Sequence, residues 1–312
     1  MNGNNINNKI ELLDIIEKQI LVSDGAMGTT LFSAGITGHP DLLNINNNYI
    51  EKLIDIHLSF LEAGSDIIQT NTFGSTPLKL KPYGLENRTE EINKNAVSAA
   101  KEAVRKYGSK FENDRPIFIA GDMGPLGKLL EPVGALKYEE ALASYSKQAR
   151  ILIEEKVDLI IIETIIDLNE ALAAIEAVRK ISEEIPIACS LSFGENGVTI
   201  MGNKAEDVVS QLINKGSDIV GANCGIGSDS MIGIVKKMRE ANTEARLFFQ
   251  PNAGLPTLVE GKTIYNETPK IMASNIAKFL PYKPSIVGAC CGSTPEHIKE
   301  IIKVVRGYNN RQ

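Results

Sequence analysis

The sequence predicts a single-domain α/β protein of the (β/α)8 TIM-barrel class. Three observations carry that reading. Eight short β-rich apolar runs alternate with eight amphipathic stretches of helical period. Polar and thiol side chains gather at the C-terminal ends of those runs, where a barrel keeps its chemistry. A length of 312 residues suits one barrel and one large core.

The strand candidates, in order, are Ile20–Asp24, Asp66–Asn71, Pro116–Asp122, Asp158–Glu163, Pro186–Phe193, Asp218–Cys224, Arg246–Asn252 and Ser285–Cys291. The helix candidates between and after them are Tyr49–Ala63, Thr89–Tyr107, Tyr138–Glu155, Leu168–Ile181, Ala205–Lys215, Ser230–Ala241, Pro269–Phe279 and Pro295–Val305. Ser293-Thr294-Pro295-Glu296 places a cap residue before a proline at the first turn of the last helix. Strict alternation implies a parallel sheet, and eight units favour a closed barrel over an open doubly wound sheet. Residues 1–9, polar and Asn-rich, read as a disordered lead, and residues 10–312 as the barrel. The longest connection, Thr72 to Arg88, is expected over the barrel mouth.

Composition excludes several classes. Net charge is −6 with acids and bases interspersed, there is no Trp and no basic stripe, so nucleic acid is not expected as a partner. No apolar run reaches the roughly 18 residues of a membrane span, and the polar N-terminus lacks a signal-peptide core, so a cytoplasmic location is expected. Four cysteines in a chain of this size do not make a disulfide framework. Neighbouring Cα atoms lie about 3.8 Å apart, too close for an unstrained bridge between Cys290 and Cys291.

A metal site explains the thiols better. Cys224, Cys290 and Cys291 fall at the ends of the sixth and eighth runs, whereas Cys189 sits inside the fifth as a small buried hydrophobe. Catalytic zinc has three protein ligands and one open position. A sulfur-rich zinc with a vacancy suits an incoming thiol, which the metal holds as a thiolate. The three histidines, His39, His57 and His297, lie away from the strand ends and form no zinc-hydrolase pair. For both Cys290 and Cys291 to reach one ion the strand must end there, and Gly292 supplies the freedom.

The strand-end acids Asp24 and Glu163 can serve as acid and base or bind an ammonium; a thiolate already made by the metal needs no base, which favours ammonium binding. For Asp122 the plain alternative, a strand-end acid that caps a nearby helix or pairs with a lysine, is the weaker reading at a barrel mouth. Gly25-Ala26-Met27-Gly28 offers backbone N–H groups for a carboxylate, around Ala26 and Met27. Ser190, on the fifth run, and Asn223, beside the first cysteine, complete the candidate substrate-binding set.

Asp24-Gly25-Ala26-Met27-Gly28-Thr29, Glu163-Thr164, Asn223-Cys224 and Gly288-Ala289-Cys290-Cys291-Gly292-Ser293-Thr294-Pro295 resemble the homocysteine S-methyltransferase family, over about Glu17 to Val305. Gly121-Asp122-Met123-Gly124-Pro125 and Gln250-Pro251-Asn252-Ala253-Gly254-Leu255-Pro256 are most similar to the homocysteine-binding domain of its cobalamin-dependent branch. The sequence departs from the common pattern at Gly225, where Ser is frequent, and at Met201, where Thr or Ser often precedes the glycine. The resemblance implies Zn2+ on Cys224, Cys290 and Cys291, with Asn252 as a fourth ligand until substrate arrives. It implies that Asp24 and Glu163 hold the homocysteine amine and backbone near Ala26 and Met27 its carboxylate. It implies methylation of homocysteine to methionine, with methylcobalamin carried by a partner protein as donor. No folate or corrinoid domain follows the eighth unit, so the expectation is either an excised domain or a free-standing enzyme served by a separate corrinoid protein. The alternatives are another thiol acceptor, another donor (S-methylmethionine or betaine), or a non-catalytic zinc-stabilised homocysteine-binding module.

Overall fold

The structure is a computed structural model that describes residues 12–111, 115–259 and 262–311. The expected lead, residues 1–9, lies outside the described residues. Strands β1 (Leu21–Val22), β2 (Ile67–Gln69), β3 (Phe118–Met123), β4 (Leu159–Ile165), β5 (Ile187–Leu191), β6 (Ile219–Gly227), β7 (Leu247–Asn252) and β10 (Ile286–Val287) form one parallel sheet. Its order is β1-β10-β7-β6-β5-β4-β3-β2, and a parallel bridge between Ser23 and Ile67 joins the two edges. That bridge turns the sheet into a barrel, as the strand count had suggested.

Alternation along the strands sorts the side chains into two cores. Leu21, Ile67, Phe118, Ala120, Leu159, Ile161, Ala188, Ile219, Phe248 and Ile286 fill the barrel interior. Leu12 and Ile16, from a helical turn over residues 12–16, close it from below. Their neighbours, such as Val22, Ile68, Ile160, Ile162, Val220 and Phe249, point outward against the helices. Gly221 is required where strands crowd: a Cβ there would sit 1.7 Å from the carbonyl oxygen of Phe248.

The outer ring is α2 (Asn47–Ala63), α3 (Thr89–Lys110), α4 (Tyr138–Glu154), α5 (Leu168–Arg179), α6 (Ala205–Lys215), α7 (Ser228–Ala241), α8 (Pro269–Ala277) and α9 (Pro295–Asn309), preceded by the short α1 (Met27–Ser33). Side-chain caps begin several of them: Asn46 accepts from Asn48 N (3.1 Å), Asp167 from Asn169 N (2.9 Å) and Thr268 from Ile271 N (3.4 Å). His57 is buried within α2, an ordinary helix residue as read from the sequence. No helix among the described residues is long and apolar enough to cross a membrane.

Two local expectations need correction, while the Thr72–Arg88 connection stands at the mouth as expected, with Phe73 and Lys79 lining it. The last strand stops at Val287, not Cys291, because Ser293 N and Oγ both turn back to Cys290 O (3.2 and 2.7 Å). The Thr72–Arg88 connection is structured, with a one-turn helix Pro77–Leu80 capped by Thr76. The segment after β7 forms an antiparallel hairpin, β8 (Pro256–Val259) with β9 (Lys262–Tyr265), which the βα pattern does not anticipate.

Candidate metal and substrate site

The site lies at the C-terminal mouth, where β4, β6 and the turn after β10 depart from regular geometry. The β6–β7 register slips between Asn223 and Gly227, and the β4–β5 register between Ile162 and Ile165. Inside these irregularities Cys224 (φ +56°) and Thr164 (φ +60°) adopt left-handed backbone. For a β-branched residue such as Thr164 that conformation costs of order 1–3 kcal/mol and persists only where surroundings enforce it. Bulges re-aim side chains, and here they turn Glu163 and Cys224 towards one cavity.

After β10, Cys290 and Cys291 lie in the turn closed at Gly292 (φ +82°). A side chain at 292 would also collide with Tyr265, placing its Cβ 2.1 Å from the ring's Cγ. Ending the strand resolves the alternation problem: adjacent cysteines reach the same point. The sulfurs of Cys224, Cys290 and Cys291 all lie within 4.8 Å of one another. Cys224 and Cys291 Sγ are 3.9 Å apart, against about 3.8 Å for two thiolates on a tetrahedral zinc with 2.3 Å bonds. The Asn252 side chain stands near enough to lower the Cys224 thiol, while its buried Oδ1 has no partner. Three thiols of this spacing beside an unsatisfied oxygen fit a thiophilic four-coordinate ion, with Asn252 able to take the fourth position. The flanking thiols of Cys290 and Cys291 hold the Cys224 thiol down to about 3, with help from Gly225 N–H and Asn252. That charge pushes Cys291 up to about 12 and Cys290 upwards as well. Cys189 is fully buried in β5, and burial raises its thiol, as expected of a core residue.

A cavity of about 380 Å³ adjoins the sulfurs, lined by Asp24, Ala26, Met27, Asp122, Glu163 and Cys224 among others. Asp24 Oδ2 accepts from Gln69 N (3.0 Å), while buried Oδ1 has no partner. Glu163 is raised to about 7, first by burial and then by the charge on Cys224. Burial also lifts Asp24 and Asp122 well above the usual carboxylate range. Asp122 Oδ1 is buried without a partner, so this acid neither caps a helix nor pairs a lysine there. An acid-lined cavity with unpaired oxygens suits a ligand bearing a positive, hydrogen-rich group.

The remaining sequence candidates fall differently. Met27 begins α1 and Ala26 is its N-cap, so first-turn N–H groups face the cavity region rather than forming an isolated nest. Ala26 N is engaged by Ser293 Oγ (3.1 Å). Ser190 and Asn223 are fully buried behind the cavity wall; Ser190 Oγ donates to Asn223 Oδ1 (2.8 Å). Residues the sequence reading passed over include Gln69 and Gln250, joined by a 2.6 Å amide hydrogen bond beside Glu163. Their strand-end positions were visible; their pairing was not. Tyr265 gave no signal, because the hairpin puts it there; Thr164 and Ser293 stood in the family-like motifs, but the bulge and the turn that bring them to the site were not visible.

A model of the family described as homocysteine S-methyltransferase matches residues 21–305. A methionine synthase from Mycobacterium tuberculosis is 30% identical over 310 residues, covering 95% of this chain and 25% of that protein. The chain thus spans about a quarter of that relative's length. The metallated form of the homocysteine methyltransferase MmuM from Escherichia coli superposes with a TM-score of 0.79 at 21% identity, over 98% of this chain and 100% of that one. Its apo form gives 0.74 at 19% identity, over 95% and 99%; at such identity the likeness speaks for the fold alone. Since the family match runs from the first barrel strand into the last helix, the chain belongs to the homocysteine S-methyltransferase family.

Proposed function

We propose that this chain transfers a methyl group to the sulfur of homocysteine, giving methionine, with one Zn2+ held by Cys224, Cys290 and Cys291. The observation that carries the reading is the trio of sulfurs gathered beside a cavity walled by buried acids. Bound there, the ion would supply a vacant position at which a thiol is kept as its thiolate at neutral pH.

The chain's own residues select and orient the acceptor. Asp24 and Glu163 offer buried carboxylate oxygens to the homocysteine ammonium, whose charge offsets the burial that otherwise keeps them protonated. The backbone at Ala26 and Met27, at the start of α1, would receive the carboxylate, Ala26 N giving up its bond to Ser293 Oγ (3.1 Å) to do so. Asn252, whose buried Oδ1 has no partner, would serve as the ion's fourth ligand in the absence of the acceptor. In transfer the new S–C bond forms as the donor–carbon bond breaks, the bonding pair staying with the donor and the thiol proton passing to solvent. The donor we favour is a methyl-corrinoid on a separate protein or on domains outside this sequence. Its support is the cobalamin-branch motif Gly121-Asp122-Met123-Gly124-Pro125 and a relative about four times longer.

The deciding experiment offers methylcobalamin, S-methylmethionine and betaine in turn to zinc-loaded protein with homocysteine, and measures methionine. Turnover with methylcobalamin is expected. Turnover with another donor instead would move the reading to that donor. No methionine from any of them, with homocysteine still bound, would leave a zinc-stabilised binding module.

A further inference from the structure

Asn223 is saturated by groups from three different strands or turns. Its Oδ1 accepts from Thr164 N (2.7 Å) and Ser190 Oγ (2.8 Å). Its Nδ2 donates to Glu163 Oε2 (2.9 Å) and Thr164 Oγ1 (2.8 Å) and lies 3.9 Å from Cys290 Sγ. The side chain is fully buried. Two of these bonds clamp Thr164 in its left-handed backbone, which aims the preceding Glu163. The next residue along the chain is Cys224. An amide carries only two N–H protons, yet three acceptors stand around this one: a carboxylate, a hydroxyl and a sulfur. They share what two protons can give.

We propose that Asn223 is a positioning residue that couples the two halves of the site, so that a metal on the thiols and an ammonium at Glu163 strengthen each other's binding. A metal held at Cys290 would fix that sulfur beside the amide, where it competes with Glu163 Oε2 for the shared N–H. Glu163 Oε2 then loses part of its hydrogen bond from Asn223. An ammonium arriving at Glu163 replaces that donor with a charge-assisted one, and the Asn223 proton is released to the sulfur. The coupling is reciprocal by linkage. The inference rests on the proposed use of Glu163 for an amine, and it goes beyond that use by assigning Asn223 a role without substrate contact.

The test uses ligands that cannot touch the metal. Norvaline carries the amino-acid head of homocysteine with a methyl in place of the thiol; pentanoate lacks the amine. Calorimetry on metal-free and zinc-loaded protein should show norvaline binding about tenfold tighter with zinc, within the usual range of coupling, and pentanoate unchanged. Asn223→Ser should still bind one zinc and keep the fold by circular dichroism, but lose the zinc-dependent gain for norvaline. Ser190→Ala, which frees only the far side of the amide, should lose part of it and stands in where N223S fails to fold. A net negative charge on the metal-loaded thiolates would also attract the ammonium without Asn223. An undiminished gain in N223S and S190A would therefore overturn the proposal. Zinc and norvaline both binding to the wild type with no mutual effect overturns the coupling alone. Failure of norvaline to bind at all overturns the amine reading and the coupling with it.

Discussion

Cys224 and Cys291 come from strands that are not hydrogen-bonded neighbours, yet their sulfurs stand 3.9 Å apart across the barrel mouth. Strand β7 lies between them, and only the bulge in β6 and the turn after β10 bring them together. Removing one sulfur should therefore abolish the proposed metal site without removing the fold. Cys291→Ser and Cys224→Ser are each expected to lower bound zinc from one ion per chain to below a tenth, while the midpoint of thermal unfolding without metal stays within a few degrees. Metal analysis after dialysis against a weak chelator measures the first quantity. Full retention of zinc by both variants would sink the three-thiol site.

Glu163 should matter in proportion to the ligand's amine. Glu163→Gln is expected to weaken homocysteine by roughly ten- to a hundredfold, the loss of a charge-assisted buried contact. 4-Mercaptobutanoate, which has the thiol and the carboxylate only, should lose little. Titration of both ligands into zinc-loaded protein separates the cases, and equal losses would contradict ammonium binding.

The same residue predicts a pH dependence of stability in the metal-free, ligand-free protein. Burial raises the Glu163 carboxyl from its ordinary 4.5 to about 7 in the folded chain. The folded state therefore holds a proton that the unfolded state releases. Its contribution is fully present below about 4.5 and is lost as pH rises through about 7. Between pH 5.5 and 8 the loss amounts to about 2 kcal/mol at 1.36 kcal/mol per unit. Urea unfolding at the two pH values should show this decline in the wild type and a flatter profile in Glu163→Gln; parallel profiles would contradict the buried proton.

Two backbone substitutions should act in opposite directions. Gly221→Ala brings a methyl group against the Phe248 carbonyl and is expected to cost about 3 kcal/mol or more. Lys156 holds φ +59° in the turn before β4, where a Cβ costs about 1–2 kcal/mol. Lys156→Gly is thus expected to gain about 0.5–1 kcal/mol after the extra chain entropy of glycine is deducted. Chemical denaturation reads both; a destabilised K156G would show that the surroundings already relieve the strain.

The barrel was legible because burial on both faces of a parallel strand forces continuous apolar runs, and Leu159–Ile162 or Ile219–Ala222 can scarcely be read otherwise. The thiol cluster was legible because three cysteines near the C-terminal ends of barrel strands converge on one mouth. What sequence could not show depends on backbone departures that leave no periodic trace. The left-handed Thr164 has a residue type that argues against its own conformation, and only the Asn223 amide explains it. Asn223 was itself placed among substrate contacts, since its neighbour Cys224 faces the cavity; alternation and the bulge send it behind the wall instead. The hairpin escaped because its two four-residue strands pair only with each other, outside the βα alternation.

Side chains such as Phe118 and Phe248 stopper the barrel from within, and Leu12 and Ile16 seal the base beneath them. Among the described residues that leaves the mouth as the way to the site. In the proposed reaction acceptor, donor and product would pass through the same rim in turn. A donor as broad as a carrier protein would cover the opening while it reacts. Homocysteine is then expected to enter first and methionine to leave last, an ordered traffic imposed by a plugged floor rather than by any residue that touches the reacting atoms; initial-rate kinetics in which methionine competes with homocysteine but not with the donor would reveal it.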